Sequence, residues 1–347
     1  MLMSPATTTI LISTLAAGTV ITASSFHWLF AWIGLELNTL SVIPLITKQH
    51  HPRATEAATK YFLTQAAASA IILFSSTTNA LQTGTWDITQ LTTPTSSILL
   101  TMALAMKLGL APTHFWLTEV MQGTTTETAM IIATWQKLAP LAIIFLTTTS
   151  LTPTIMLTMG MLSAAIGGWG GLNQTQLRKI LAYSSIAHLG WMAAISTMMT
   201  NILTINLIIY LLMTTSMFTA LIMMKSKTIQ DLTLLWSSSP IITIMITLTL
   251  LSLGGLPPLT GFIPKWLIIE ELTLQNLTPT ATTLAMSALL SLYFYLRLAY
   301  TSALTLSPNT TTVKHKWRFK TKFPTPILTT SLPLSLLLLP ITPLILA

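Results

Sequence analysis

Four ionisable residues lie inside long apolar stretches of this sequence, where such groups are rare. Three are lysines, Lys107, Lys137 and Lys265, and the fourth is the carboxylate Glu36. An ionisable group at membrane depth is costly to bury, and such groups mark ion and proton pathways. A buried amine or carboxyl can exist in charged or neutral form, so it can accept a proton and release it again. These residue types therefore favour proton transfer over covalent chemistry.

Lys107 lies beside a predicted helix break. The stretch 106–116 contains Gly109 and Pro112, which follow the lysine within about one and a half helical turns. Proline removes a backbone donor and clashes with the carbonyl four residues earlier, so the helix must bend or break. Broken backbone at membrane depth is tolerated only where protein or water covers it. The alternative is a kinked helix whose lysine extends to the membrane surface, which a mid-span position disfavours.

The other two lysines and two histidines have comparable surroundings. Lys137 lies in a helix predicted to be continuous, three residues before Pro140, and Lys265 follows a stretch rich in proline and glycine. His188 shares a helical face with a serine four residues earlier. That face either lines a hydrated path or the histidine is satisfied by a hydrogen bond between helices. His114 and His188 are candidates for relay or gating.

Composition places these residues in a membrane protein. Of 347 residues, 52% are hydrophobic and 7% are charged, whereas soluble domains carry about 25% charged residues. Apolar stretches recur at about 20 residues, the length of a membrane-spanning helix. The absence of cysteine excludes cysteine-ligated iron–sulfur clusters and disulfides in this chain. The sequence predicts an all-α, polytopic membrane protein of about eleven transmembrane helices, at residues 3–24, 26–46, 58–80, 95–119, 124–147, 151–171, 176–196, 200–224, 239–272, 277–300 and 325–345.

Basic residues are distributed unevenly between the two sides of this bundle. Of the 16 lysines and arginines, three are the intrahelical lysines, and the rest lie in or near the loops after helices two, six, eight and ten. Those loops share one side, whereas the opposite loops carry Asp87 and no basic residue. The positive-inside rule therefore places the N-terminus and the loop 301–323 inside and the C-terminus outside. We interpret the cluster Lys314–Lys322 as an orientation and lipid-headgroup signal, not a nucleic-acid site.

A short internal repeat relates predicted helices four and nine. Residues 109–112 read Gly-Leu-Ala-Pro and residues 255–258 read Gly-Leu-Pro-Pro, an offset of 258 − 112 = 146. The two helices are five spans apart, and an odd separation inverts their orientation. Inverted repeats with discontinuous helices are typical of secondary transporters. We predict a single domain, 1–347, made of five-helix repeats at 1–147 and 151–300 and a loop with a C-terminal helix at 301–347.

Three motifs resemble the antiporter-like membrane subunits of respiratory complex I. They are Lys-Leu-Gly-Leu-Ala-Pro-Thr-His-Phe-Trp at 107–116, the stretch from Asn173 to Trp191, and Gly-Leu-Pro-Pro-Leu-Thr-Gly-Phe at 255–262. The resemblance covers the whole chain and implies a subunit of the proton-translocating NADH:ubiquinone reductase of the mitochondrial inner membrane. Compared with bacterial members, the chain lacks the first three helices. The four ionisable positions are nevertheless all present.

The resemblance implies a proton relay through Glu36, Lys107, Lys137 and Lys265. Glu36 would favour the charged form of Lys107, and breaking this pair would let Lys107 pass its proton to Lys137. The proton would continue through water and His188 to Lys265, and then outward.

The same resemblance sets expectations for cofactors and partners. Flavin, iron–sulfur clusters and ubiquinone are expected in other subunits, with no cofactor, metal or redox centre in this chain. Expected partners are neighbouring antiporter-like chains, other membrane and accessory subunits, and phospholipids such as cardiolipin, but no nucleic acid. The alternative function is a stand-alone cation/proton antiporter of the same fold. A purely structural spacer is disfavoured because it has no use for three mid-membrane lysines.

Overall fold

The computed structural model describes residues 4–48, 50–304 and 326–342. Within these residues the regular structure is helical, apart from two isolated β-bridges. The first helices are α1 (Pro5–Ser24), α2 (Trp28–Thr47), α3 (Pro52–Thr83), α4 (Pro94–Leu108), α5 (Phe115–Gly123), α6 (Thr126–Ala133) and α7 (Leu138–Leu146). The others are α8 (Pro153–Gly170), α9 (Leu177–Ile195), α10 (Thr200–Met224), α11 (Ile229–Ser238), α12 (Pro240–Gly254), α13 (Phe262–Leu274), α14 (Thr278–Leu304) and α15 (Pro326–Leu337).

The helices confirm the predicted all-α membrane fold. Six helices of the described residues are long and apolar enough to cross a membrane: α1, α2, α3, Thr126–Leu146, α10 and Thr278–Ala303. The predicted helix four is α4 followed by α5, and the predicted helix nine is α12 followed by α13. Both predicted discontinuities are therefore confirmed. The cluster Lys314–Lys322 and most of the loop 301–323 lie outside the described residues.

Glycine ends the first half of both interrupted helices in the same way. Gly109 and Gly255 have φ angles of +77° and +82°, which side chains other than glycine rarely adopt. The N–H of the residue after each glycine donates to the carbonyl five residues earlier, at 2.9 Å after Gly109 and 3.4 Å after Gly255. This is the Schellman arrangement, which closes a helix C-terminus. The two breaks of the sequence repeat are thus built alike.

The helix that carries Lys137 is divided. A 3₁₀ turn at Trp135–Lys137 separates α6 from α7, so the prediction of a continuous helix was wrong. Pro140 consequently falls in the first turn of α7. The N–H groups of a first turn have no intrahelical acceptor, so the missing N–H of proline removes no bond there.

The short helix α11 was not predicted. Its start is closed by reciprocal bonds: Thr228 N–H donates to the Asp231 carboxylate at 2.8 Å, and Asp231 N–H donates to the Thr228 hydroxyl at 3.4 Å. This is a capping box, and its Thr-x-x-Asp spacing is visible in the sequence. Burial alone raises the pKa of Asp231, but N–H bonds from Lys227 and Thr228 outweigh it and hold the pKa below its usual range.

Two isolated β-bridges join loops that were predicted to share a side of the membrane. His27 pairs with Asp87, which joins the loops after α1 and α3. Gln176 pairs with Thr228, which joins the loops after α8 and α10. Both pairings agree with the alternation of the predicted spans. The assignment of the inner side stays a prediction from the basic residues.

The chain divides into two compact units. The first comprises Met1–Ser163 and Leu189–Thr200, and the second comprises Ala164–His188 and Asn201–Ala347. The predicted boundaries of the five-helix repeats stay predictions. The candidate site residues fall in both units: Glu36, Lys107, His114 and Lys137 in the first, and His188 and Lys265 in the second.

Glycines in the first unit bring α1 and α2 into close contact. A Cβ atom on Gly18 would lie 2.8 Å from the Gly34 carbonyl oxygen, and a Cβ on Gly34 would lie 2.8 Å from the Gly18 oxygen. Such small-residue contacts are typical of helices packed in membranes. The same Cβ on Gly18 would lie 2.6 Å from Oδ1 of Asn38. Gly18 therefore leaves the space that the Asn38 amide occupies.

Candidate functional site

At the first break, the C-terminal end of α4 binds a lysine from another segment. Lys137 is 1% exposed, and its Nζ donates to the carbonyl oxygen of Leu108 at 2.5 Å. Leu108 is the last residue of α4. The end of a helix carries unpaired carbonyls and a partial negative charge, so a lysine amine binds favourably there. The same Nζ lies 5.7 Å from the centre of the Trp116 ring, which is within cation–π range.

The two tryptophans that follow the breaks have different roles. The indole N–H of Trp116 donates to the carbonyl oxygen of Met106 at 3.1 Å, so Trp116 also binds the end of α4. Trp266, after the second break, is 55% exposed and stacks against Phe262. Of the two, only Trp116 therefore belongs to the site.

At the second break, the C-terminal end of α12 binds a lysine from α13, the second half of the same interrupted helix. Lys265 donates from Nζ to the carbonyl oxygen of Gly254, the last residue of α12, at 2.8 Å. The offset of 146 that relates the two breaks also relates Leu108 to Gly254 (254 − 108 = 146). Equivalent carbonyls of the two breaks therefore each bind a buried lysine, although the lysines occupy non-equivalent positions. A Cβ on Gly255 would lie 2.9 Å from the Lys265 Nζ, so this glycine also leaves room for the amine.

Lys107 and Lys137 line one small polar cavity. Its volume is about 10 Å³, close to the roughly 10–15 Å³ that one water molecule needs. Lys107 is 4% exposed, and its Nζ has no hydrogen-bond partner among the described residues. Sequence reasoning missed this cavity. The signal was the presence of polar side chains on otherwise apolar helices, and those that line the cavity are Asn38, Thr39, Tyr61, Gln65 and Gln136.

Glu36 forms no hydrogen bond or ion pair with a lysine in the described part of the chain. Its carboxylate accepts a hydrogen bond from the Thr39 hydroxyl at 3.1 Å. Among the described residues, the ion pairs within 4.0 Å do not include Glu36. Its side chain is close enough to Lys107 for a Coulombic interaction. The expected Glu36–Lys107 pair is therefore not formed in this conformation.

The two candidate histidines lie in different units. His114 precedes α5 and is buried, and its Nδ1 has no partner in the described part of the chain. His188 on α9 is buried, with its Nε2 3.5 Å from the Tyr295 hydroxyl. Lys265 is close enough to His188 for a Coulombic interaction. The structure thus gathers Lys107 and Lys137 in the first unit and His188 and Lys265 in the second, and their roles stay predictions.

Two family models match consecutive parts of the chain. Residues 25–291 match the membrane domain described as NADH:quinone oxidoreductase/Mrp antiporter, and residues 292–346 match the C-terminus of NADH dehydrogenase subunit 2. Curated proteins named NADH-ubiquinone oxidoreductase chain 2 from Xenopus laevis and Varanus timorensis are each 56% identical to it, over 99% of either chain. The chain belongs to the NADH-ubiquinone oxidoreductase chain 2 family.

Solved structures share the fold of this family member. A chain of respiratory complex I from Thermus thermophilus with bound aureothin has 28% identity and a TM-score of 0.83, covering 96% of this chain and 79% of that chain. A chain of the Mrp complex from Dietzia sp. DQ12-45-1b has 15% identity and a TM-score of 0.80, covering 97% and 75%. The Mrp likeness shows the fold alone. Together these matches confirm the antiporter-like architecture.

Proposed function

We propose that this chain translocates protons across the mitochondrial inner membrane as a subunit of respiratory complex I. Electron transfer from NADH to ubiquinone, carried out by other subunits with their flavin and iron–sulfur clusters, drives this movement. The observation that carries the proposal is the pair of equivalent helix-terminal carbonyls, at Leu108 and Gly254, that each bind a buried lysine. The full-length relatives named NADH-ubiquinone oxidoreductase chain 2 support membership of that complex.

The buried lysines provide proton transfer without covalent chemistry. A lysine amine donates N–H bonds in its neutral and its charged form, so Lys137 can keep its bond to Leu108 after losing a proton. The neutral amine then has a lone pair that accepts the next proton. Lys107 lines the same cavity and lacks such a bond, so its amine is free to exchange protons with water there.

Glu36 and the second unit complete the proposed relay. In this conformation the Glu36 carboxylate bonds to Thr39, so pairing with Lys107 requires a rotation of the Glu36 side chain. The pair holds the proton on Lys107, and the return of the Glu36 side chain to Thr39 breaks the pair and starts the transfer to Lys137. His188 and Lys265 then carry the proton outward. Neighbouring antiporter-like chains, accessory subunits and phospholipids such as cardiolipin are the proposed partners.

A stand-alone cation/proton antiporter is the second candidate, because the Mrp chain shares the fold. Purification from mitochondrial membranes in mild detergent distinguishes the two functions. We expect the chain in a large assembly that oxidises NADH, reduces ubiquinone and moves protons in sodium-free buffer. Recovery of a free chain that exchanges sodium for protons would contradict the complex I proposal.

The proposed orientation places the N-terminus and the loop 301–323 in the matrix and the C-terminus in the intermembrane space. The basic residues of this loop support it, since positive charge is retained on the inner side. We expect trypsin to leave the loop intact in mitoplasts and to cleave it in inverted inner-membrane vesicles. Cleavage of the loop in sealed mitoplasts would show the opposite orientation.

A further inference from the structure

Asn38 carries two buried polar atoms that have no protein partner. It lies on α2, is 1% exposed, and neither its Oδ1 nor its Nδ2 forms a hydrogen bond with another described residue. Buried amides in proteins are normally hydrogen-bonded, to protein or to ordered water. Asn38 lines the same cavity as Lys107, whose Nζ also has no partner among the described residues. Two residues with unpaired buried polar atoms therefore line one cavity.

The cavity has the size and the chemistry of a site for a single water molecule. Its volume of about 10 Å³ is about that of one water-sized probe, and a buried water needs about two to four polar partners. The Lys107 amine and the Asn38 amide supply such partners. Gln65 and Gln136 also line the cavity. An apolar cavity would stay dry, but this one is lined by polar as well as apolar side chains.

Two contacts hold Asn38 in place beside the lysines. Gln136, the neighbour of Lys137, donates from Nε2 to the backbone oxygen of Asn38 at 3.2 Å. This bond fixes α2 against the 3₁₀ turn that carries Lys137. On the other side, Gly18 leaves the space for the Asn38 amide, since a Cβ there would lie 2.6 Å from Oδ1. The position of the amide is therefore set by its surroundings.

We propose that Asn38 is a positioning residue that holds one water molecule between the Lys107 and Lys137 amines. This inference rests on the proposed proton-translocating function. In the transfer, an N–H bond of the Lys107 ammonium breaks as an O–H bond forms on the water. An O–H bond of the same water breaks as an N–H bond forms on neutral Lys137. One proton moves, the water is regenerated, and no oxidant or reductant is required.

The test replaces Asn38 by leucine in the assembled complex I. Leucine keeps the volume and removes both amide atoms. Loss of one hydrogen bond to a charged group predicts proton translocation about ten-fold slower. High-resolution cryo-electron microscopy should show water density beside the Lys107 Nζ in the parent complex and none in the variant. Asn38→Met, which also fills the site without amide atoms, carries the same expectations and is used if Asn38→Leu does not assemble.

Ser69→Ala is the matched control. Ser69 lies about one turn beyond Gln65 on α3, is also buried, and does not line the cavity, and its hydroxyl donates to the Ala66 carbonyl. Its loss should change neither the water density nor the pumping rate. Water density that persists beside Lys107 in Asn38→Leu overturns the inference, whatever the rate.

Parallel measurements on Lys107→Met and Lys137→Met separate the two proposals. Pumping that survives both lysine changes rejects the relay itself, and the inference with it. Pumping that needs the lysines but is unchanged in Asn38→Leu rejects the inference alone.

Discussion

Replacing Lys137 by methionine is expected to abolish proton pumping while the complex still assembles. Methionine keeps much of the lysine volume but removes the titrating amine and its bond to the Leu108 carbonyl. Leaving that carbonyl unpaired costs about 1–3 kcal/mol, which lowers stability without preventing folding. Loss of a group that transfers a proton predicts a fall in the pumping rate of about a hundred-fold or more.

The measurement is NADH oxidation and proton uptake in vesicles that contain the assembled variant. Under the proposed function quinone reduction is coupled to pumping, so both rates should fall together. Lys48→Met and Lys316→Met serve as controls, since Lys48 lies at the surface end of α2 and Lys316 in the predicted matrix loop. Both control changes should lower the rates of NADH oxidation and proton uptake far less. If Lys137→Met assembles and pumps at the parental rate, the residue is not part of the relay.

Replacing Gly261 by alanine is expected to destabilise the second break strongly. Gly261 has an ordinary φ of −67°, so the added methyl group acts through steric overlap and not through backbone strain. Its Cβ would lie 1.7 Å from the carbonyl oxygen of Ser252. Because Ser252 belongs to α12 and Gly261 precedes α13, the two halves would have to separate. That movement would pull Lys265 away from the Gly254 carbonyl.

Overpacking of this severity is expected to cost about 3 kcal/mol or more in the free energy of unfolding. The measurement is the yield of assembled complex and its thermal unfolding temperature. Gly84→Ala is the matched control: Gly84 has a φ of +75°, but no atom lies within 4 Å of the added Cβ. Its backbone strain alone costs about 1–2 kcal/mol. Normal assembly of Gly261→Ala with an unchanged unfolding temperature would disprove the close contact.

The breaks in the helices could be predicted from sequence because glycine and proline act locally. Gly109 and Gly255 end their helices through their own backbone conformations, which require no knowledge of the rest of the chain. The same is true of the capping box at Thr228, although its Thr-x-x-Asp signal was overlooked. The divided helix at Lys137 was not anticipated, since Pro140 is compatible with a continuous helix that merely bends.

Contacts between distant residues could not be predicted in this way. The three lysines were identified as buried, but the acceptors of Lys137 and Lys265 are backbone carbonyls, and every residue has one. Opposite charge suggested that Glu36 pairs with Lys107, whereas a hydroxyl one turn along the same helix, that of Thr39, is the nearer partner. The cavity that Asn38 lines depends on the packing of several segments, and no short sequence motif predicts it.

The two lysine bonds differ in what they connect mechanically. The bond from Lys137 to Leu108 links two separate helical segments, the 3₁₀ turn before α7 and the end of α4. The bond from Lys265 to Gly254 joins the two halves of one interrupted helix, α13 and α12. A movement of the Lys137 side chain therefore acts on two separate segments, whereas a movement of the Lys265 side chain acts within one interrupted helix.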